Sequence, residues 1–253
     1  MGSMVYKFRP LTNEADLDRL RQTISEHVLY MGPAADLNDA IEGRVILTGS
    51  PDVVQHFYDA IEALQRDACV LSFSETLTEP LMWAHYARGF SGVALEFDRS
   101  LCGWMTELYP VAYCDSPTVI DVGNRVDAVD FSDGRLIDAV LLSKSAGWFY
   151  ERELRYCQAL SDRTGLGDFI LARFSPAALR TVVIGCRVPL YERERLVELV
   201  NQHLPDVAIR FASPAGRSTY EVAIQESLPP PTTQERFRRD LKVAAKLGVN
   251  RVI

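Results

Sequence analysis

The sequence predicts an α+β fold of mixed, mainly antiparallel sheets with flanking helices. Three observations point there. Short runs alternate with period two, as Val93, Leu95 and Phe97 do with Ala94, Glu96 and Asp98, which reads as a half-buried strand. Other runs repeat apolar residues every three or four positions, which reads as amphipathic helix. The two kinds interleave too irregularly for a doubly wound parallel sheet.

Val5 to Phe8 is a strand candidate closed by Pro10. Asn13 offers an N-cap to a helix over Glu14 to Ser25, with Leu17, Leu20 and Ile24 on one face. The stretch MGPAADLNDAIEG reads as a loop. Ser50-Pro51 opens a second helix, with Val54, Phe57, Ile61 and Leu64 at helical spacing. Cys69 to Phe73 is a buried strand candidate, and Pro80 to Arg88 a short helix stopped by Gly89. Residues 115–135, rich in Asp, Gly and Ser, read as a loop, and Leu136 to Ser143 fits helix or strand. DRTGLGD is a turn. Strands at Thr181 to Gly185, Val207 to Phe211 and Tyr220 to Ile224 enclose a helix at Glu192 to His203. These elements make one domain over 4–228; the prolines at 229–231 begin a linker to a last amphipathic helix, Gln234 to Leu247, suited to docking a partner.

Composition bounds the function. The 253 residues are 47% hydrophobic, enough for a sizeable core, and carry a net charge of −7. That balance argues against broad electrostatic nucleic-acid binding, though a local basic groove remains open. Cys69, Cys102, Cys114, Cys157 and Cys186 are scattered and odd in number, as expected of reduced thiols in a cytoplasmic protein. No leader and no apolar run near the roughly 18 residues of a membrane span are evident. Met1-Gly2-Ser3 before Met4 reads as a cloning remnant. Dinucleotide-fingerprint, P-loop, zincin and nucleophile-elbow motifs are absent, and the four histidines give no zinc set.

The segment WFYERELRY, Trp148 to Tyr156, is the densest in chemistry. Read as a strand, it puts Phe149, Glu151, Glu153 and Arg155 on one face. Two adjacent carboxylates repel, and one holds its proton more tightly unless a cation intervenes; Arg155 is placed to be that cation. A salt-bridged strand edge fits the same residues. Upstream, Ser72-Phe73-Ser74-Glu75 ends a strand and precedes a helix with Trp83, His85 and Tyr86. These are candidates to bind a ring or hold a proton, or they are core and surface residues. On the first strand Lys7 and Arg9 share a face; cations there suit a phosphate-bearing ligand, since arginine offers a bidentate fork, or they are solvated edge charges. Asn38, Asp39 and Glu42 lack the run of an EF-hand loop.

The succession KFR, LNDAIE, LSFSE, PLMWAHYA, GVALEFD and KSAGWFYERELRY resembles the bacterial domain-of-unknown-function family 2971, over Tyr6 to Tyr156 and weakly to Gly185. The chain departs at Ala40, where that family prefers proline, and at Ser72, where it prefers cysteine. More distantly, Arg9, Ser72-Phe73-Ser74 and Glu151-Arg152-Glu153 resemble the Arg-Ser-Glu signature of ADP-ribosyltransferases. This resemblance implies an ADP-ribosyltransferase-like core with NAD as the substrate dinucleotide. Arg9 would hold its phosphates, helped by Lys7, Ser72, Trp83 and Arg155 on the cofactor-binding side. Glu153 would stabilise the oxocarbenium-like transition state, Glu151 would activate the acceptor, and Ser74 would orient Glu153. His85 and Tyr86 would receive the nicotinamide end. The implied protein is a bacterial toxin or defence effector with a protein or nucleic-acid acceptor and no membrane association. Two other classes fit the residues: a metal-dependent nuclease or hydrolase using Asp39, Glu75, His85 and Glu153 with magnesium or manganese, and a non-catalytic nucleotide-binding or protein-interaction module.

Overall fold

The computed structural model describes residues 3–124, 134–160, 169–216 and 219–227. The fold is α+β with mixed, mostly antiparallel sheets. The proposed C-terminal helix, its proline linker and the DRTGLGD turn lie outside the described residues.

The chain begins with β1 (Met4–Pro10) and α1 (Glu14–Glu26). Asn13 caps α1 by accepting the Asp16 amide at 2.8 Å, which satisfies one of the free first-turn donors. Leu17, Leu20 and Ile24 form its buried stripe. Then come β2 (Val28–Pro33), β3 (Val45–Gly49) and α2 (Pro51–Asp67). The loop expected from Met31 therefore begins inside a strand. Val28, Leu29 and Met31 are buried, but the Gly-Pro pair at the strand end disguises it. β4 (Ala68–Ser74), α3 (Pro80–His85) and β5 (Gly92–Asp98) follow.

The expectation of a half-buried β5 is corrected. Val93, Leu95 and Phe97 join the core on the α1 side, while Ala94 packs with Phe8 and Trp83 on the other. Both faces are covered, one by Leu20 and Ile24 of α1 and the other by Met82 and Trp83 of α3. Next come β6 (Tyr109–Pro110), β7 (Ala112–Cys114), β8 (Thr118–Gly123), α4 (Gly134–Leu141) and β9 (Ser143–Ser145). The loop expected over 115–135 thus contains a strand, held by parallel pairing with β3; such long-range pairing leaves little local signal. Leu136–Leu141 is helical, with Leu136, Ala139, Val140 and Leu141 buried against α2. The chain ends its described part with β10 (Glu153–Ala159), β11 (Ile170–Arg173), β12 (Leu179–Gly185), α5 (Leu190–His203), β13 (Ala208–Pro214) and β14 (Val222–Gln225).

Among the described residues the main sheet runs β11-β2-β4-β1-β5-β12-β13-β14, with β10 pairing β4 and β6. β10 covers one edge of β4 along its whole length. The other edge is divided: β1 meets it at Tyr6 opposite Ser74, and β2 meets it at Gly32 opposite Val70 and Pro33 opposite Cys69. β1 and β2 therefore part company along β4. This divide and the adjoining strands β4 and β10 position the site.

Candidate functional site

WFYERELRY is not one strand. Ala146–Glu151 is a 3-10 helix, Arg152 turns in the left-handed region (φ 43°), and β10 begins at Glu153. The correction has a local cause: Ser145 starts the turn and Arg152 donates its amide to the Phe149 carbonyl at 3.2 Å. Phe149, expected to share a face with the carboxylates, is 62% exposed. The two glutamates converge all the same, because the left-handed turn brings the end of the helix back over the start of the strand.

Four charged groups meet with a fifth from the loop before β3. Lys144, on β9, places Nζ 2.7 Å from Glu151 Oε2, 3.4 Å from Glu153 Oε2 and 3.7 Å from Glu42 Oε2. Arg155 grips Glu153 with both arms, Nε to Oε1 at 2.8 Å and Nη2 to Oε2 at 2.9 Å. Its Nη1 donates to the Leu141 carbonyl at 2.6 Å, and Nη2 also bonds Glu42. Glu153, Arg155, Ser72 and Ser74 share one face, since Glu153 pairs with Ser74 and Arg155 with Ser72 across β10 and β4. All of the charged side chains are nearly or wholly excluded from solvent. Three carboxylates against two cations leave one uncompensated negative charge.

That imbalance separates the carboxyls. Burial pushes Glu151 up; hydrogen bonds from Lys144 and Tyr86 offset part of this, and the Glu153 charge adds to it. Burial acts to raise Glu153 too, but Arg155, Lys144 and the Ser72 hydroxyl outweigh it and hold Glu153 at about 2. Glu42 is raised, again chiefly by burial, against the pull of Arg155 and Lys144. Lys144 is held above its usual value: burial lowers it, and the three carboxylates more than compensate. One carboxylate is thus firmly ionised beside others that hold protons more readily, the arrangement that lets paired carboxyls take different chemical roles.

A rim surrounds this cluster. Tyr86 donates its phenol to Glu151 Oε1 and accepts from Asn38 Nδ2, the latter at 2.7 Å. His85 Nδ1 lies 2.8 Å from the Tyr150 hydroxyl. Trp148, Tyr150 and His85 cluster with ring centroids 5.8–6.3 Å apart, and Lys144 Nζ sits 4.8 Å from the Trp148 ring centre. The Tyr113 hydroxyl accepts the Glu153 amide at 2.8 Å.

The expected site residues divide accordingly. Glu151, Glu153, Ser72, Tyr86 and His85 lie in or beside the cluster. Ser74, expected to orient the Glu153 side chain, instead donates to the Glu151 carbonyl at 2.6 Å and fixes the backbone between the two glutamates. Trp83, expected on the ligand side, is fully buried; it stacks on Phe90 and donates to the Leu77 carbonyl at 2.7 Å. Arg155, also expected there, is fully buried with its guanidinium committed to protein partners. Lys7 stands in the divide of β4 and donates to the Ser72 carbonyl at 2.7 Å; burial and Arg9 lower it well below its usual value, and Glu153 pulls it upward. Arg9 sits further along β1. Burial lowers it to about 10, and the charges acting on it are Arg19, Asp16 and Tyr30. Lys7, not Arg9, is the β1 cation whose environment includes Glu153.

Sequence reasoning missed Lys144 as the hub, Tyr113 as the amide acceptor and Glu42 as a member of the cluster. Lys144 stood in the quoted KSAGWFYERELRY; the signal was a lysine seven residues before the first glutamate. Among the described residues no group of three or more His, Cys, Asp and Glu could hold a metal ion, so Asp39, Glu75, His85 and Glu153 form no such centre. No described helix is long and apolar enough to cross a membrane. Comparison with known proteins gives no match: no protein-family model, no curated protein and no solved structure matches the chain.

Proposed function

We propose that the chain is an ADP-ribosyltransferase-like enzyme that breaks the nicotinamide–ribose bond of NAD and passes the ADP-ribosyl group to an acceptor. The observation that carries this reading is the Glu151–Lys144–Glu153 arrangement, with Glu153 held at about 2 while Glu151 is raised. When the C1′–N bond breaks, its electron pair leaves with nicotinamide and positive charge develops on the ribose. A preorganised, ionised Glu153 lowers the energy of that charge. The acceptor nucleophile then bonds C1′ and gives up a proton, and a carboxylate with a raised pKa is the better base for it. That role falls to Glu151, which Tyr86 covers and must uncover.

Neighbouring strands support the same reading. β4 and β10 pair so that Ser72, Ser74 and Glu153 share one face, whereas Tyr6 lies opposite Ser74, so Lys7 and Arg9 belong to the other face of β1. The Ser and Glu parts of the Arg-Ser-Glu resemblance thus adjoin, with Ser72 as the hydroxyl that steadies Glu153, while Arg9 stands apart from them. The rim of His85, Tyr150 and Trp148 offers flat faces to a nicotinamide ring. As an enzyme of that type, the chain would serve as a bacterial toxin or defence effector modifying a protein or nucleic acid in the cytoplasm.

The test is nicotinamide release from NAD by the purified protein with candidate acceptors, wild type against Glu153→Gln. A fall of about 10²–10³-fold in rate is expected, the usual cost of one preorganised electrostatic group. Wild-type protein that neither binds nor cleaves NAD under these conditions ends the proposal.

A further inference from the structure

Cations gather where β1 and β2 part along one edge of β4. Between the Tyr6–Ser74 and Gly32–Val70 contacts no described strand pairs with that edge. Lys7 Nζ donates to the Ser72 carbonyl there at 2.7 Å, in place of a backbone amide. Lys7 and Arg9 lie opposite Leu95 and Val93, so both belong to the α1 side of the sheet. From α1, Arg19 lays its guanidinium 5.2 Å from the Tyr30 ring centre, and Tyr30 packs on Phe169 at 5.0 Å. Arg9 is half-buried, with its nitrogens not sealed from solvent, and the charges acting on it are those of Arg19, Asp16 and Tyr30. Among the described residues its guanidinium forms no hydrogen bond and no ion pair. Asp16, the carboxylate nearby, accepts the Thr12 amide and hydroxyl instead, at 3.0 and 2.6 Å. Removing a guanidinium from water beside a second one, with no acceptor for its donors, is unfavourable. An anion from outside the fold relieves it.

We infer that Lys7, Arg9 and Arg19 form a binding site for a dianionic phosphate group at the β1–β2 divide, on the face of β1 opposite the one that Ser74 and Glu153 share. The chemistry of the free groups selects that ligand. They are donors, so the ligand must bring acceptors. They come from two elements, β1 and α1, so the ligand must present oxygens in more than one direction, as a phosphate does and a flat carboxylate does not. Two guanidiniums and an ammonium against the one carboxylate of Asp16 leave a surplus of two positive charges, which matches a phosphate monoester near neutral pH. Stacking on Tyr30 fixes the plane of the Arg19 fork and leaves its N–H edge free. Burial and Arg9 hold Lys7 well below its usual value, and an anion between the two cations offsets that repulsion. The chain as a whole carries −7, so attraction of anions is confined to places where positive charge is concentrated. The site is separate from the carboxylate cluster, and the inference stands whatever reaction the cluster performs.

Titration calorimetry of the full chain at pH 7.5 and constant ionic strength is the test, with inorganic phosphate, glycerol 3-phosphate and acetate as probes. Saturable one-to-one binding of phosphate is expected. It should weaken about tenfold or more in Arg9→Gln, the loss of hydrogen bonds to a charged group, and several-fold in Arg19→Gln. Arg21→Gln is the charge-matched control, since Arg21 lies on the same helix and pairs with Asp18 at 2.6 Å; its binding should equal that of wild type. Binding of both phosphates assigns a phosphomonoester ligand, and binding of inorganic phosphate alone assigns the free ion. No saturation by either up to about 10 mM, acetate bound as tightly as phosphate, or equal weakening in Arg9→Gln and Arg21→Gln overturns the inference. Thermal unfolding without phosphate separates binding from a structural role. Arg9→Gln removes an unpaired cation and should melt no lower than wild type, while added phosphate should raise the wild-type midpoint and not that of the variant. A lowered midpoint in Arg9→Gln would make Arg9 a structural residue and overturn the inference as well. NAD is absent throughout, so the outcome is separate from that of the proposed function.

Discussion

Lys144 Nζ stands between two glutamates two residues apart in sequence, 2.7 Å from Glu151 and 3.4 Å from Glu153. It reaches them from a separate strand, and its buried charge is what allows three carboxylates to occupy one small volume. Lys144→Met removes that charge while keeping most of the side-chain volume. Breaking a buried ionic network by removing one partner costs about 3–5 kcal/mol. A loss of that order is expected in urea unfolding at neutral pH, and a loss below about 1 kcal/mol would mean that Arg155 alone balances the site.

The pH dependence follows from the separated carboxyls. Glu153 is depressed to about 2 from an ordinary value of 4.5. Its contribution to stability is therefore present above about 4.5 and is lost as pH falls toward about 2. Glu153→Gln should cost on the order of 3 kcal/mol at pH 7 by that shift, and the gap to wild type should narrow on acidification. Glu151 has the opposite sign: raised in the fold, it stabilises when protonated and loses that contribution as pH rises above 4.5. Glu151→Gln should gain on wild type over that upward range. Denaturant titrations at pH 3, 5 and 7 read both slopes, and parallel curves for the two variants would contradict the separation.

Tyr86 acts on Glu151 directly. Tyr86→Phe removes the phenol that donates to Glu151 Oε1. Hydrogen bonding to the charged form lowers a carboxyl pKa, so Glu151 should titrate higher still in this variant. Carboxyl carbon chemical shifts followed against pH would register the rise, and an unchanged or lowered midpoint would count against the contact.

Arg152 shapes the turn between the glutamates with φ at 43°. Glycine tolerates that conformation and a β-branched residue does not. Arg152→Gly should leave stability within about 1 kcal/mol, while Arg152→Val should cost roughly 1–2 kcal/mol. Thermal unfolding of the two variants compares them; equal midpoints would show that the turn does not constrain the site.

Trp83 provides the contrast between core and site. It is fully buried against Phe8 and Phe90, so Trp83→Ala should lose about 3–5 kcal/mol. The milder Trp83→Phe should stay folded with NAD affinity unchanged. A selective loss of dinucleotide binding in folded Trp83→Phe would return Trp83 to the ligand side.

Much of the fold was legible locally. Asn13 and the Leu17, Leu20, Ile24 stripe announced α1, and Ser50-Pro51 announced α2, because capping and helical spacing are short-range properties. β5 was legible as a strand but not as a central one, since burial on its second face comes from Phe8 and Trp83 in other segments. β3 and β8 were invisible because each is stabilised by the other, with more than sixty residues between them. At the site, the sequence by itself determined the residue types: two glutamates separated by one arginine, a Ser-x-Ser strand, and cations on the first strand. Only the tertiary structure decided which charges meet. The β4–β10 pairing turned Arg155 inward onto Glu153, β9 delivered Lys144, and the loop before β3 delivered Glu42 from over a hundred residues away. Charge separation in a buried cluster depends on distances and on excluded water, and neither is written in the spacing of a linear chain.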